Sequence, residues 1–185
     1  GVQRWDGMIV VDQANEPNCG VVTTQVRRFL ANQARLNPEL ATLADSRERI
    51  GEFRHLMLKP NQREAARAIG ARGNLSLRSA RTHAQALSRR ARRPVFVTMA
   101  ERGMLIADSD DVQQVRGFPV EGPIDPVGAG DSSSAALLAS RACGASLVAA
   151  AVIAEAPWQG DRRIRRRRCA GARPRLSLIH ISEPT

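Results

Sequence analysis

A glycine-rich turn in front of a helix has the clearest potential for chemistry. The segment Gly128-Ala129-Gly130-Asp131 directly precedes an Ala- and Leu-rich stretch, which is predicted to be a helix from Ser132 onward. Glycines allow the backbone to approach a ligand closely, and a helix directs the positive end of its dipole and its free N–H groups to the same place. The pattern predicts an anion hole at Gly128, Ala129 and Gly130, suited to a transferring phosphoryl group.

The aspartate of this turn needs its own explanation. A carboxylate at the mouth of an anion hole would repel phosphate unless it had a chemical task. We therefore predict that Asp131 is a catalytic base, which takes the proton from an attacking hydroxyl group. The alternative is that Asp131 is an ordinary N-cap of the helix, and the tetrapeptide alone does not separate the two interpretations.

A second polar segment follows a short apolar run and a Lys-Pro break. It contains Asn61 and Glu64, three residues apart, at the start of a helix predicted to extend to about Ile69. This spacing fits a capping box, in which both side chains satisfy backbone N–H groups of the first turn. A ligand-binding role and a capping role are compatible at these two positions.

The elements that must position these residues alternate between strand and helix patterns. Strands are predicted at 8–12, 40–44, 55–58, 94–98, 104–107 and 112–116, and helices at 24–36, 61–69, 75–89 and 132–143. Such alternation predicts an α/β fold with a mostly parallel sheet and helices on both faces. In such folds the ligand edge is formed by the loops that follow the strands.

The turn and its flanks resemble a known family signature. Residues 125–132, Asp-Pro-Val-Gly-Ala-Gly-Asp-Ser, resemble the C-terminal signature of the ribokinase/PfkB carbohydrate kinase family. Leu58-Lys59-Pro60-Asn61 with Glu64 resembles the Asn-x-x-Glu element of that family. The two motifs are specific when they occur together at this separation.

A third segment resembles the Thr-x-Gly-x-x-Gly nucleotide-binding turn of the same family. Thr98 and Gly103 match that pattern, and Ala100 stands where the family prefers glycine. The resemblance covers residues 5 to 155. Within the family, the segments around Asp12 and Asp45 have a weak similarity to the heptose-phosphate kinase branch.

The resemblance implies a ribokinase-like three-layer fold and an ATP-dependent phosphotransferase that phosphorylates a hydroxyl of a sugar or sugar phosphate. It implies nucleotide-binding roles for Asn61, Thr98 and Gly103, and a role for Glu64 in holding Mg²⁺ through water. Asp125 matches a position that in many relatives helps to hold a monovalent cation, here K⁺. A nucleoside or vitamin kinase of the same fold remains an alternative, because the anion hole binds only the phosphoryl group and does not distinguish the molecules that accept it.

The resemblance also predicts how the chain is divided. Residues 1–156 are expected to form a partial kinase domain, equivalent to the C-terminal half of the family, without the N-terminal sugar-binding segment. Residues 157–185 are expected to be a non-native tail that begins with a frameshift near Ala156 and ends in translated sequencing-adapter sequence. A further alternative is that the chain is an inert gene fragment.

Composition narrows the classes of partner. The formal net charge is +10, but residues 157–185 contain eight arginines against two acidic residues, which leaves +4 for residues 1–156. A surplus of this size with few aromatic residues argues against nucleic-acid binding.

No apolar run reaches the roughly 20 residues of a membrane span, so we expect a cytoplasmic protein without membrane partners. A homodimer of the full-length protein is compatible with the resemblance.

Overall fold

One mixed β-sheet organises the chain. The computed structural model describes residues 5–73, 75–118 and 128–156, and the backbone of residues 176–179. The strands are β1 (Gly7–Asp12), β2 (Ala41–Ser46), β3 (Met57–Leu58), β4 (Val95–Thr98), β5 (Met104–Asp108), β6 (Asp111–Val115) and β7 (Leu176–Ile179). Their order is β6-β5-β4-β3-β2-β1-β7, in which β5 and β6 are antiparallel to their neighbours and the other pairs are parallel.

In the described part of the chain, five α-helices connect or cover the strands, and several begin at a hydroxyl side chain. They are α1 (Thr24–Leu36), α2 (Gln62–Ala68), α3 (Leu77–Ala91), α4 (Ala129–Ala142) and α5 (Leu147–Glu155). The hydroxyl groups of Thr23, Ser76 and Ser146 accept hydrogen bonds from the third backbone N–H after them. These bonds satisfy N–H groups that have no partner within the helix, which fixes where α1, α3 and α5 begin.

The helices form a layer on each face of the sheet. Neighbouring strand residues alternate between two buried clusters, as Leu43 and Ala44 do on β2, because successive side chains of a strand point to opposite faces. One cluster joins the sheet to α1, α2 and α3, and the other joins it to α4 and α5. The predicted three-layer α/β architecture is confirmed.

Among the element boundaries that differ from the sequence-based predictions, three have a clear backbone or capping cause. Strand β3 is shorter than 55–58, because His55 has a φ of 63° and lies in the left-handed region. Helix α3 begins two residues later than predicted, after its cap Ser76. Helix α4 begins at Ala129 instead of Ser132, because Gly128 with a φ of 80° is its N-cap.

The C-terminal segment contributes one strand. The backbone of Leu176–Ile179 pairs in parallel with β1, in a register that sets Leu176 opposite Gly7. The sequence-based hypothesis treats this segment as non-native and leaves it out of the fold, and its origin stays a prediction. None of the helices in the described part of the chain is both long and apolar enough to cross a membrane.

Candidate functional site

The predicted site residues gather where the parallel strands end. Lys59 directly follows β3, Thr98 is the last residue of β4, and the two segments are joined by a bridge between Asn61 and Thr98. Asp45 lies at the end of β2 on the same edge. Carboxyl ends of parallel strands meet at one edge of a sheet, which is the usual ligand edge of an α/β fold.

The first turn of α4 has the geometry expected of an anion hole. Gly128 adopts a φ of 80°, which suits glycine, and accepts the first hydrogen bond of the helix, from Ser132 N at 2.9 Å. The N–H groups of Ala129, Gly130 and Asp131 precede that bond, so the helix itself offers them no carbonyl partner. Three adjacent backbone donors at the positive end of a helix are suited to binding an anion.

Asp131 is the third residue of α4. The N-cap position belongs to Gly128, so the alternative interpretation of Asp131 as the N-cap is wrong. Its side chain is exposed and makes no hydrogen bond or ion pair with any residue that the structure describes. The carboxylate is therefore available to a ligand, although a negative charge in a first helical turn also interacts favourably with the helix dipole.

A buried charged cluster lies beside this turn. Lys59, whose side chain is 5% exposed, places Nζ 2.8 Å from Asp45 Oδ2. Ser134 Oγ lies 3.2 Å from the same oxygen and 3.0 Å from the carbonyl oxygen of Gly130. A Cβ atom added to Gly130 would be 3.9 Å from Lys59 Nζ, which shows how close the ammonium group is to the anion hole.

Asn61 and Glu64 form the predicted capping box. Asn61 Oδ1 accepts hydrogen bonds from the N–H groups of Arg63 and Glu64, each at 2.9 Å, and Glu64 Oε2 accepts from Asn61 N at 2.8 Å. Burial raises the pKa of Glu64, and the negative charge of Asp45 acts in the same direction. The N–H of Asn61 and the charges of Lys59 and Arg67 oppose that rise. The capping role is confirmed, and the nucleotide and metal roles stay predictions.

The turn between β4 and β5 needs its glycine for structural reasons. Gly103 has a φ of 84°, and a Cβ atom there would lie 2.2 Å from the carbonyl oxygen of Val115. Thr98 N donates to Pro60 O at 3.0 Å, which holds the turn beside the Asn61 segment. Ala100 has a φ of 51°, which is strained for alanine and easy for glycine. The nucleotide-binding roles of Thr98 and Gly103 stay predictions.

A second buried ion pair orders the loop that follows β1. Asp12 Oδ2 accepts from Ser46 Oγ at 2.9 Å, and its Oδ1 lies 3.2 Å from Arg49 Nη2. Arg49 also donates to the carbonyl oxygens of Ala14 and Asn15. This network ties the ends of β1 and β2 to the adjoining loop, and it is structural.

The family can be named from the sequence match. A family profile described as pfkB family carbohydrate kinase matches residues 36–156. The chain belongs to the pfkB carbohydrate kinase family. The match includes the capping box, the β4–β5 turn and the first turn of α4, so the resemblance inferred from the motifs is confirmed.

Solved kinase structures share the fold. Phosphofructokinase-2 from Escherichia coli in complex with potassium matches with a TM-score of 0.64 at 23% identity, over 78% of this chain and 47% of that chain. Ribokinase from Thermotoga maritima matches with a TM-score of 0.56 at 17% identity, over 80% and 47%. Adenosine kinase from Sinorhizobium meliloti matches with a TM-score of 0.55 at 20% identity, over 70% and 41%. These matches confirm the ribokinase-like fold.

The chain spans about half the length of the solved structures that it matches. A search of curated protein sequences gave no significant match.

The acidic side chains of the described residues supply only part of the Mg²⁺ site that is expected of a pfkB family kinase. The described residues contain no group of three His, Cys, Asp or Glu side chains close enough to hold a metal ion. Mg²⁺ commonly keeps several waters and takes one or two carboxylates plus substrate phosphates, so this arrangement fits a water-mediated site at Glu64. Glu64 uses Oε2 for the capping bond, which leaves Oε1 for such a water. Asp125, the predicted ligand of K⁺, lies outside the described residues.

Sequence reasoning missed three residues of the cluster: Lys59, Asp45 and Ser134. A lysine directly after a buried strand was the available signal for Lys59, because such a lysine must find an acidic partner to be buried. Nothing local identified Ser134, whose contact with Asp45 crosses 89 positions of the chain.

Proposed function

We propose that this chain supplies the catalytic and nucleotide-binding part of a kinase that uses ATP and Mg²⁺ to phosphorylate a hydroxyl group of a sugar or sugar phosphate. The observation that carries the proposal is the first turn of α4. It combines three backbone N–H donors at a helix start with Asp131, an exposed carboxylate that has no structural partner among the described residues. Phosphoryl transfer needs an anion site and a base next to each other.

Each predicted residue has a defined task in this reaction. The N–H groups of the predicted anion hole at Gly128, Ala129 and Gly130, together with the N–H of Asp131, stabilise the charge on the transferring phosphoryl group. The carboxylate of Asp131 accepts the proton of the attacking hydroxyl. Asn61, Thr98 and Gly103 position the nucleotide, while Glu64 orients a water. Bound Mg²⁺ would neutralise charge on the phosphates.

Sugar substrates are supported by the relatives. E. coli phosphofructokinase-2, whose fold this chain shares, has been solved in complex with fructose-6-phosphate. Its complex with potassium supports a monovalent cation site, to which Asp125 would contribute. The match to an adenosine kinase keeps a nucleoside acceptor as the second candidate.

The proposal includes the division of the chain. Residues 1–156 would be the kinase part, because the family match ends at residue 156. Residues 157–185 would be a non-native tail, and the Leu176–Ile179 strand would then occupy the edge of β1 only in this chain. A homodimer of a longer protein that contains residues 1–156 remains part of the proposal.

The test measures ADP release from ATP in the presence of pentoses, hexoses, sugar phosphates, nucleosides and a vitamin alcohol. It uses both this chain and a longer gene product that contains residues 1–156. We expect acceptor-stimulated turnover by the longer protein with a sugar or sugar phosphate. Stimulation by nucleosides alone would favour the second candidate, and intact, folded longer protein without any stimulated turnover would refute the proposal. Turnover by the longer protein alone would mark this chain as an inactive fragment.

A further inference from the structure

We propose that Asp45 and Ser134 are positioning residues, which hold the first turn of α4 in the geometry that the anion hole requires. This inference rests on the proposed function for its catalytic consequence. Asp45 lies at the end of β2 and Ser134 lies one turn into α4. Their contact, Ser134 Oγ to Asp45 Oδ2 at 3.2 Å, joins the helix directly to the edge of the sheet.

The hydroxyl of Ser134 has two acceptors and one proton. Gly130 O lies 3.0 Å away within the same helix, and Asp45 Oδ2 lies 3.2 Å away on the sheet. A serine that bonds only to the carbonyl four residues earlier adds nothing to the position of its helix. A carboxylate is the stronger acceptor, so the bond to Asp45 fixes α4 relative to β2. Because Ser134 follows Gly130 by one turn of the same helix, a bond to Asp45 holds the turn that carries the donors.

Lys59 makes this arrangement compatible with an anion site. A carboxylate beside the hole would repel phosphate, but Lys59 Nζ lies 2.8 Å from Asp45 Oδ2 and neutralises it. The lysine side chain is 5% exposed and that of Asp45 is 14% exposed, so the pair is shielded from solvent. Removing one partner of a buried pair leaves an uncompensated charge, whereas removing the Ser134 hydroxyl does not. Ser134 is therefore the cleaner position for a test.

The chain offers a matched control in the neighbouring serine. Ser133 is also buried in the first turns of α4, and its Oγ makes no hydrogen bond with any described residue. Ser133→Ala and Ser134→Ala therefore make the same chemical change one position apart, and only the second breaks the link to Asp45. Ser134→Thr retains the hydroxyl group.

The first measurement is hydrogen exchange of the full chain without ligand, read at the amides of residues 132–136, which close the first turn. We expect Ser134→Ala to raise exchange there by about tenfold, as expected for loss of a hydrogen bond to a charged group. Ser133→Ala and Ser134→Thr should leave it within about twofold. Equal exchange in the Ser133→Ala and Ser134→Ala variants would overturn the inference.

The second measurement is steady-state kinetics of the same variants in the longer gene product. We expect Ser134→Ala to lower kcat about tenfold with little change in KM for ATP, and Ser134→Thr to restore it. Faster hydrogen exchange in Ser134→Ala with an unchanged kcat would show that Ser134 has a structural role only, and it would overturn the inference. Absence of any kinase turnover in the parent protein would refute the proposed function instead, and the exchange comparison would still decide whether Asp45 and Ser134 hold the turn.

Discussion

Two regions of the ligand edge carry the predicted site residues, and they differ in how the structure explains them. In the segment formed by the β3–α2 connection and the β4–β5 turn, Asn61 is a helix cap and Gly103 avoids a steric clash. In the first turn of α4, Asp131 is not the N-cap, and its exposed side chain makes no hydrogen bond or ion pair with a described residue. Asn61 and Gly103 therefore each answer a specific structural need, whereas Asp131 has only the general attraction of a carboxylate to the start of a helix.

This difference indicates where a functional assignment is most secure. A residue that a capping box or a backbone clash already requires would be present whether or not it binds a nucleotide. A carboxylate at an anion hole, without a structural partner, is better explained by chemistry. The comparison predicts that substitutions in the first region change stability and that the substitution of Asp131 changes only activity.

The largest expected effect is loss of stability on replacing Gly103. In Gly103→Ala the new Cβ would lie 2.2 Å from Val115 O, in a backbone region that alanine rarely adopts, so we expect a loss of about 3 kcal/mol or more. The control is Gly70→Ala, which has a φ of 71° but open space around it, and should cost about 1 kcal/mol. Urea unfolding measures both. Equal losses would show that the clash does not govern this turn.

The substitution Asp131→Asn should give the opposite pattern. It removes the base and keeps the shape, so kcat should fall roughly 100-fold or more. The free energy of unfolding should change by about 0.5 kcal/mol or less, because the exposed side chain makes no hydrogen bond or ion pair with a described residue and loses only its interaction with the helix dipole. Asp110→Asn, at an exposed position between β5 and β6, is the control for kcat. Near-normal turnover of the Asp131 variant would show that Asp131 is not the base.

Two substitutions of Asn61 separate its capping role from its nucleotide role. Asn61→Ala removes the acceptor for two N–H groups and should cost about 1 kcal/mol of stability. Asn61→Asp keeps that acceptor and should cost little, while its negative charge should weaken ATP binding if the residue faces the nucleotide phosphates. Thermal unfolding and an ATP titration measure the two effects. Unchanged ATP affinity in Asn61→Asp would leave Asn61 as a cap only.

The substitution Ala100→Gly should stabilise the protein slightly. It relieves an alanine with a φ of 51°, and after the greater chain entropy of glycine is subtracted the gain should be about 0.5 kcal/mol. Thermal unfolding measures the gain, with Ala71→Gly as a control at an alanine that follows the turn after α2 and has no positive φ. A loss of stability at Ala100 equal to that of the control would show that the turn is unstrained.

The smallest expected effect concerns the pH dependence of stability. Burial raises the pKa of Glu64, so the folded protein binds the proton more strongly than the unfolded chain does. The contribution of Glu64 is therefore most favourable at low pH and is lost as pH rises from the ordinary glutamate pKa to the raised one. Glu64→Gln, which retains an oxygen for the cap, should remove this part of the pH dependence. Urea unfolding at several pH values across the acidic range measures the effect. An unchanged pH dependence of the free energy of unfolding in the variant would contradict the raised pKa of Glu64.

Local sequence predicted most elements of the fold because their causes are local. Thr23 caps α1 through a bond that spans three residues, and the capping box at Asn61 spans the same distance. The miss at α4 has a local cause as well. A glycine N-cap has no side chain to signal a helix start, so the first turn was predicted as a loop.

By itself, the sequence determined the alternation of strands and helices, the family, and the candidates Asn61, Glu64, Thr98, Gly103 and Asp131. Only the tertiary structure decided that Lys59 is buried against Asp45 and that Ser134 reaches the same carboxylate from 89 positions away. The physical reason is the separation along the chain over which each interaction acts. Periodicity and capping act over a few residues, whereas a contact between the end of β2 and the first turns of α4 depends on strand order and on helix packing against the sheet.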